Sequence, residues 1–352
     1  MKRSISIINT EIQLINVIEA IHHFKCEENY LVIGQFNIRP ERIQKIEKML
    51  EEPLFKQHFK KIIHLPLYLS NKNPLRFLGY ILAYIKFFFL ILFSKKFDFC
   101  FFGVVTDIIV KPIVYLTQYK NPYCVLCVVD EGARVIMDSN NRVQNEALLL
   151  RQQNKRIQLF YGLYLAITRK WIYPALTYFS IYQLSLLKQD VFIRNEYIYF
   201  KHNKIQQILL KEPAIVIAGQ PMSELKITTS NTYQQIIQKI IAKYKQSNIY
   251  YAPHPIETEY KQWLPSNVHP LQTQYPLEII LLVNQVDTLI GFYSTVLSNS
   301  AIMRTCQEIY SISLKTSEYL SPPEPNMMNR INDQFEQVGV QIINTNLCKP
   351  NQ

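Results

Sequence analysis

Short apolar runs alternating with helix-length amphipathic stretches limit this chain more than any other feature. SISIIN (residues 4–9) leads into EIQLINVIEAIHHF (11–24), and NYLVIGQF (29–36) into ERIQKIEKMLEEPLFKQHF (41–59). KIIHLPL (61–67), FDFCFFGVV (97–105) and CVLCVVD (124–130) are three more short apolar runs. Apolar residues recur at helical spacing in the long stretches, while the runs between them have strand length. Strands separated by helices must cross over before pairing, so the pattern predicts βαβ units and a parallel sheet. After the polar stretch VFIRNEYIYFKHNKIQQ (191–207) the series restarts. AIVIAGQP (214–221), NIYYAPHP (248–255), TLIGFYST (288–295) and EIYSIS (308–313) read as strands. TYQQIIQKIIAKYKQ (232–246) and PLEIILLVNQV (276–286) read as helices. The expectation is an α/β protein of two Rossmann-like parallel-sheet domains, 1–190 and 205–352, facing each other across a cleft.

A length of 352 residues suits two cores better than one. Hydrophobic residues make up 48% and charged residues 18%, which excludes a disordered chain. The net charge of +11 favours anionic partners: nucleic acid, anionic lipid or phosphorylated substrates. Nucleic acid is set aside, because the basic residues are dispersed and no RNP signature, zinc-finger spacing or arginine-rich arm occurs. Cys124 and Cys127 form a C-x-x-C inside an apolar run with no second pair at zinc-like distance, so they read as small buried hydrophobes. With MKRSISIINT passing directly into a strand, a reducing cytoplasmic setting is expected. There is no D-x-D, no G-x-x-x-x-G-K-[ST] and no G-x-G-x-x-G, so metal–nucleotide, P-loop and dinucleotide chemistry lose their usual support.

Two aromatic and basic segments interrupt the pattern. PLRFLGYILAYIKFFFLILFSKK (74–96) is nearly long enough to span a bilayer, but Lys86 sits in its middle and a strand follows at once. It reads as a helix packed on the sheet or as a helix lying in the membrane interface, with Lys95 and Lys96 snorkelling, and least of all as a true span. The second, 155–188, carries Trp171, Tyr173, Tyr178 and Tyr182, aromatics of the kind found at headgroup level. Together they predict peripheral contact with an anionic membrane.

Four strand ends carry chemistry: Asp130–Glu131–Gly132, Gly219–Gln220, His254–Pro255 and Ser294–Thr295. Each has a bland alternative. The acids could be solvated charge in a turn, His-Pro an ordinary loop, and Ser-Thr a helix N-cap. Parallel strands nevertheless place such ends along one rim of their sheet, where open α/β sheets bind ligands. A carboxylate and an imidazole facing across a cleft would serve as general base and general acid.

The ordered set DEG (130–132), HP (254–255) and YST (293–295) resembles the motifs of bacterial sialyltransferases of the lipooligosaccharide type, glycosyltransferase family 52. It is also similar to the bacterial polysialyltransferases, and NTEIQLINVIEAIHH resembles the family's first strand-to-helix turn. The resemblance implies a GT-B fold. It implies inverting transfer of a nonulosonic acid from its CMP-activated form to a hydroxyl of a cell-surface glycan, without metal or other cofactor. The acceptor would be an oligosaccharide or glycolipid of lipooligosaccharide or capsule, and the enzyme would be peripheral on the inner face of the bacterial inner membrane. On this resemblance Glu131 is the base, with Asp130 beside it structural, and a protonated His254 is the acid, on a turn stiffened by Pro255. Ser294, Thr295 and the amides that open the next helix hold the CMP phosphate. Glu278 binds the ribose hydroxyls, an ordinary helix N-terminal glutamate being the alternative. Gly219 and Gln220 line the donor cleft, and Thr10 and Gln13 touch acceptor or donor sugar. Ala252 and the Ser-Thr pair depart from the family pattern and leave the choice among sialic, legionaminic and pseudaminic acids open. Two other readings stand beside this one: a GT-B transferase for another nucleotide sugar, and a non-catalytic membrane-surface glycan-assembly protein.

Overall fold

The computed structural model describes residues 1–34, 40–65, 85, 87–103, 110–131, 135–136, 138–140, 175–203, 210–244, 247–254, 256–257, 259–271, 275–321 and 325–345. The chain forms two compact units, Met1–Tyr199 and Phe200–Gln352.

The first unit holds seven strands: β1 (Arg3–Ile8), β2 (Glu28–Gly34), β3 (Lys61–Leu65), β4 (Phe99–Phe102), β5 (Val125–Val129), β6 (Thr177–Ser180) and β7 (Val191–Arg194). They pair in the order β3-β2-β1-β4-β5-β6-β7, all parallel. Helix α1 (Glu11–Phe24) starts where the sequence places it, because Thr10 and Gln13 form a reciprocal capping box. The expected helix over 41–59 is broken: α2 (Pro40–Glu51) ends, Glu52 turns extended at φ −79° and ψ 137°, and Pro53 opens a separate turn at Pro53–Lys56. Proline lacks the N–H a helix interior needs, and its ring disfavours helical backbone in the residue before it. A further helix, α3 (Val110–Lys120), precedes β5.

Strands β6 and β7 occupy positions that the sequence shows as an amphipathic aromatic stretch and a polar linker. Tyr178 and Tyr182 are therefore core residues, 1% and 4% exposed, and not interfacial aromatics. Trp171 and Tyr173 lie outside the described residues, as does Lys86. Within 74–96 the described part is helical at 87–93. No helix among the described residues is long and apolar enough to cross a membrane. Cys124 and Cys127 are free and buried, and desolvation pushes the Cys124 thiol up to about 12.

The second unit repeats the arrangement with β8 (Ala214–Ala218), β9 (Asn248–Ala252), β10 (Val268–Pro270), β11 (Val286–Gly291), β12 (Cys306–Ser313) and β13 (Gln341–Asn344). Their order is β10-β9-β8-β11-β12-β13, again all parallel. Counted within each unit, the first six strands follow 3-2-1-4-5-6, the Rossmann order. β8 is buried on both faces. Its alternate residues Ile215 and Ile217 enter one core with Ile236, Ile237 and Ile240 of α4 (Ser230–Lys243). Ala214, Val216 and Ala218 enter the other. That core also takes Leu281 of α5 (Leu277–Val283), Leu297 of α6 (Thr295–Met303) and Phe335 of α7 (Pro325–Gln337). A period of two along the strand and one apolar stripe per helix account for this layering.

Candidate active site

The switch point of the second sheet lies between β8 and β11, where the chain order reverses. In register, Ala218 of β8 pairs with Ala252 of β9 on one side and Gly291 of β11 on the other. Three adjacent strands thus end level, on small residues. Gly219–Gln220 follows the first, His254 lies two residues past the second, and Ser294–Thr295 lies three residues past the third. The structure brings together these three of the four strand ends named from the sequence. Pro255 and Gly132 fall outside the described residues.

Beneath them sits a carboxylate that sequence reasoning missed. Glu257 is buried, and its Oε2 accepts from the His254 N–H at 2.6 Å. Its Oε1 accepts from the Tyr251 hydroxyl at 2.5 Å. The Tyr251 and Tyr233 hydroxyls are 3.0 Å apart, and Tyr233 in turn accepts from the Gln220 N–H at 3.0 Å. Burial pushes Glu257 up to about 7 against the downward pull of its hydrogen bonds. Gly219 makes room for it: a Cβ there would stand 2.3 Å from Glu257 Oε2. So Gly219 and Gln220 join the His254 turn through Glu257, Tyr251 and Tyr233.

The Ile256 N–H donates to His254 Nδ1 at 3.3 Å. An imidazole that accepts at Nδ1 carries its proton on Nε2, and a second proton at Nδ1 would face the Ile256 N–H. The sequence reading makes His254 the donor; in this geometry Nδ1 accepts from Ile256, so Nε2 is the ring nitrogen left to donate.

Tyr293 takes φ 44°, a left-handed conformation that a bulky residue adopts only under constraint, and its hydroxyl donates to Ser313 Oγ at 3.1 Å. The turn makes Ser294 the N-cap residue of α6 by position, yet Ser294 makes no side-chain cap hydrogen bond. Its hydroxyl and the first amides of α6 together resemble the anion sites of helix N-termini. Glu278, in the first turn of α5, accepts from Asn299 of α6 at 3.0 Å, so the acid expected to meet a ribose is held next to that helix.

In the first unit Asp130 directly follows β5 and is 2% exposed. Its Oδ2 accepts from the Ile181 N–H at 2.8 Å, tying the end of β5 to that of β6, and its carbonyl accepts from Asn16 Nδ2 at 2.9 Å. Asn16 Oδ1 accepts in turn from Asn195 and Tyr197. Burial pushes Asp130 up to about 7 against the downward pull of its hydrogen bonds with Ser180 and Ile181. Asp130 is thus buried and bonded within the sheet, whereas Glu131 is half-buried at the end of β5. Thr10 and Gln13 are taken up by the α1 cap. Thr10 Oγ1 accepts from the Gln13 N–H at 3.3 Å, and Gln13 Oε1 accepts from the N–H groups of Asn9 and Thr10 at 2.5 and 3.2 Å. Gln13 is 1% exposed and packs over Gly103, at the end of β4, where a Cβ would clash with it. Among the described residues no group of three His, Cys, Asp or Glu side chains could hold a metal ion.

Comparison with known proteins adds three findings. The alpha-2,8-polysialyltransferase (POLYST) family model matches residues 135–313, a span that contains His254, Glu278, Ser294 and Thr295 and begins just after Glu131. An uncharacterized protein of Haemophilus influenzae is 36% identical over 91 residues, 25% of this chain, and the match spans only 29% of that relative. Among solved structures, Arabidopsis thaliana UGT89C1 complexed with UDP-L-rhamnose superposes with a TM-score of 0.50 at 10% identity, over 99% of this chain and 86% of that one. Acinetobacter baumannii MurG does so with a TM-score of 0.47 at 10% identity, over 98% and 86%. At such identity the plant enzyme shows the fold alone, and that fold is GT-B.

Proposed function

This chain belongs to the alpha-2,8-polysialyltransferase family, and on that premise we propose that it moves a nonulosonic acid from its CMP conjugate to a hydroxyl of a glycan acceptor, with inversion. The observation that carries the reading is the convergence of Gly219, His254 and Ser294–Thr295 at the switch point of one parallel sheet. That is where an α/β sheet offers strand ends and a helix N-terminus to a nucleotide phosphate. Ser294, Thr295 and the first amides of α6 bind the phosphate, and Glu278 meets the ribose. Glu131 takes the proton of the acceptor hydroxyl as its oxygen bonds the anomeric carbon. The bond from that carbon to the phosphate oxygen breaks, its electron pair goes to the phosphate, and His254 Nε2–H stabilises that oxygen by donating a hydrogen bond to it while keeping its proton. The lipooligosaccharide or capsule acceptor and a place on the inner membrane face belong to the same proposal. A membrane contact is supported by the exposed Phe88, Phe89, Leu92 and Phe93, which adjoin the exposed Lys95 and Lys96.

The test is calorimetric titration with CMP, UDP and ADP, followed by transfer assays with CMP-N-acetylneuraminic acid. CMP alone is expected to bind. Glu131→Gln and His254→Ala are each expected to slow transfer by about 10²–10⁴-fold while melting like the parent. Binding of UDP or ADP in place of CMP would sink the donor class. A near-parental rate in either variant would sink that residue's role.

A further inference from the structure

Glu257 has no part in the reaction just described, yet it is an acid kept in a buried place where a neutral side chain would cost less. Its surroundings explain what it holds. His254 is gripped by Glu257 at both main-chain polar groups: its N–H donates to Glu257 Oε2 at 2.6 Å, and its C=O accepts from the Glu257 N–H at 2.8 Å. The ring is then oriented by the Ile256 N–H, which belongs to the same four-residue turn. Glu257 is itself fixed from below by Tyr251 and Tyr233, and Gly219 leaves its carboxylate the necessary space.

We propose that Glu257 is a positioning residue for His254, clamping the turn so that Nδ1 accepts from Ile256 and Nε2 carries the outward proton. Tyr251, Tyr233 and Gly219 are the parts of the clamp that keep the carboxylate in place. The consequence for transfer rests on the reading of His254 given above, whereas the effect on its imidazole does not.

The variants separate these levels. Glu257→Ala removes both acceptors. Glu257→Gln can keep both contacts, because its carbonyl can accept from the His254 N–H while its amide donates to the Tyr251 oxygen, which then donates to Tyr233. Each protein is labelled with [15N]histidine, and the His254 signals are identified by their loss in His254→Ala. The parent and Glu257→Gln are expected to show one tautomer, protonated at Nε2, and Glu257→Ala a mixture. Should Glu257→Ala not fold, Tyr251→Phe, which removes only the hydroxyl donated to Oε1, is read the same way. In transfer assays Glu257→Ala is expected to lose about 10²-fold in kcat, as misplaced catalytic groups do, with donor KM changed by less than about threefold. Glu257→Gln should stay within about tenfold of the parent. Glu257→Ala combined with His254→Ala should be no slower than His254→Ala alone, because the first acts only through the second. Unchanged His254 signals in Glu257→Ala, or additive losses in the double variant, would overturn the proposal. If the parent transfers from no CMP donor, the reading of the reaction fails, and the imidazole signals alone decide the positioning.

Discussion

A methyl group on Gly219 would meet Glu257 Oε2 at 2.3 Å, the Tyr251 hydroxyl at 2.8 Å and the Ala252 carbonyl at 3.0 Å. The last of these cannot yield, since it already accepts from the Gly219 N–H at 2.8 Å within the rim of the sheet. Gly219→Ala is therefore expected to destabilise the fold by about 1–3 kcal/mol, the usual cost of overpacking, as measured by urea denaturation. A shift below a few tenths of a kcal/mol would mean that Glu257 sits elsewhere. A second residue-scale effect concerns pH. Asp130 and Glu257 have folded values near 7, above their ordinary 3.8 and 4.5, with burial the leading cause in both. The fold favours their neutral forms, so the stability they contribute is full below about pH 4 and is lost as the pH rises through 7. The melting temperature should fall between pH 5 and pH 8, and Asp130→Asn should flatten that fall; a slope unchanged in the variant would remove Asp130 as its source. The strand-end motifs were legible because each sits within a few residues of a recognisable apolar run. Glu257 was not, because Tyr233 and Gly219 lie 24 and 38 residues before it, and only folding brings them together.

At the level of elements, the alternation of apolar runs and amphipathic helices was enough to predict parallel sheets, and α1 fell where its periodicity put it. What escaped were β6, β7, β10 and β13. β6 is four residues of TYFS inside an aromatic run, too short for strand period to show against helical period. β7, β10 and β13 are edge strands with few buried side chains, so they lack the apolar signature of the central ones. The start of α1 poses a sharper question, since Thr10 and Gln13 read from the sequence as sugar contacts and fold as a capping box. Thr10→Ala should cost about 1 kcal/mol, the usual value of a lost N-cap, in denaturant unfolding. Acceptor KM should change by less than about threefold, as for a residue that makes only uniform structural contacts. A large rise in KM without loss of stability would return Thr10 to the sugar site.

Across the whole molecule, the net charge of +11 favours anionic surfaces, and the membrane contact proposed above assigns the stretch 87–96 as the place where that attraction acts. Phe87 and Ile91, one helical turn apart, are buried, while Phe88, Phe89, Leu92 and Phe93 face outward, the last 79% exposed. Lys120 donates to the carbonyls of Ile91, Leu92 and Ser94, which fixes the end of this helix beside the exposed Lys95 and Lys96. An aromatic face next to cationic side chains is the composition of an interfacial helix, whose rings enter the headgroup boundary while the lysines meet lipid phosphate. Vesicles containing phosphatidylglycerol should therefore sediment the protein, and phosphatidylcholine vesicles should do so poorly. Each lysine near an anionic surface is worth about 1 kcal/mol, so Lys95→Gln with Lys96→Gln should weaken binding about 30-fold. Raising the salt should weaken the parent and leave the double variant less affected, because screening acts only on charge that is present. Phe89→Ser with Phe93→Ser should weaken binding at every salt concentration, because the apolar contribution is not screened. Equal binding to both kinds of vesicle, insensitive to salt and to the lysine changes, would leave the aromatic face as a surface for something other than an anionic membrane.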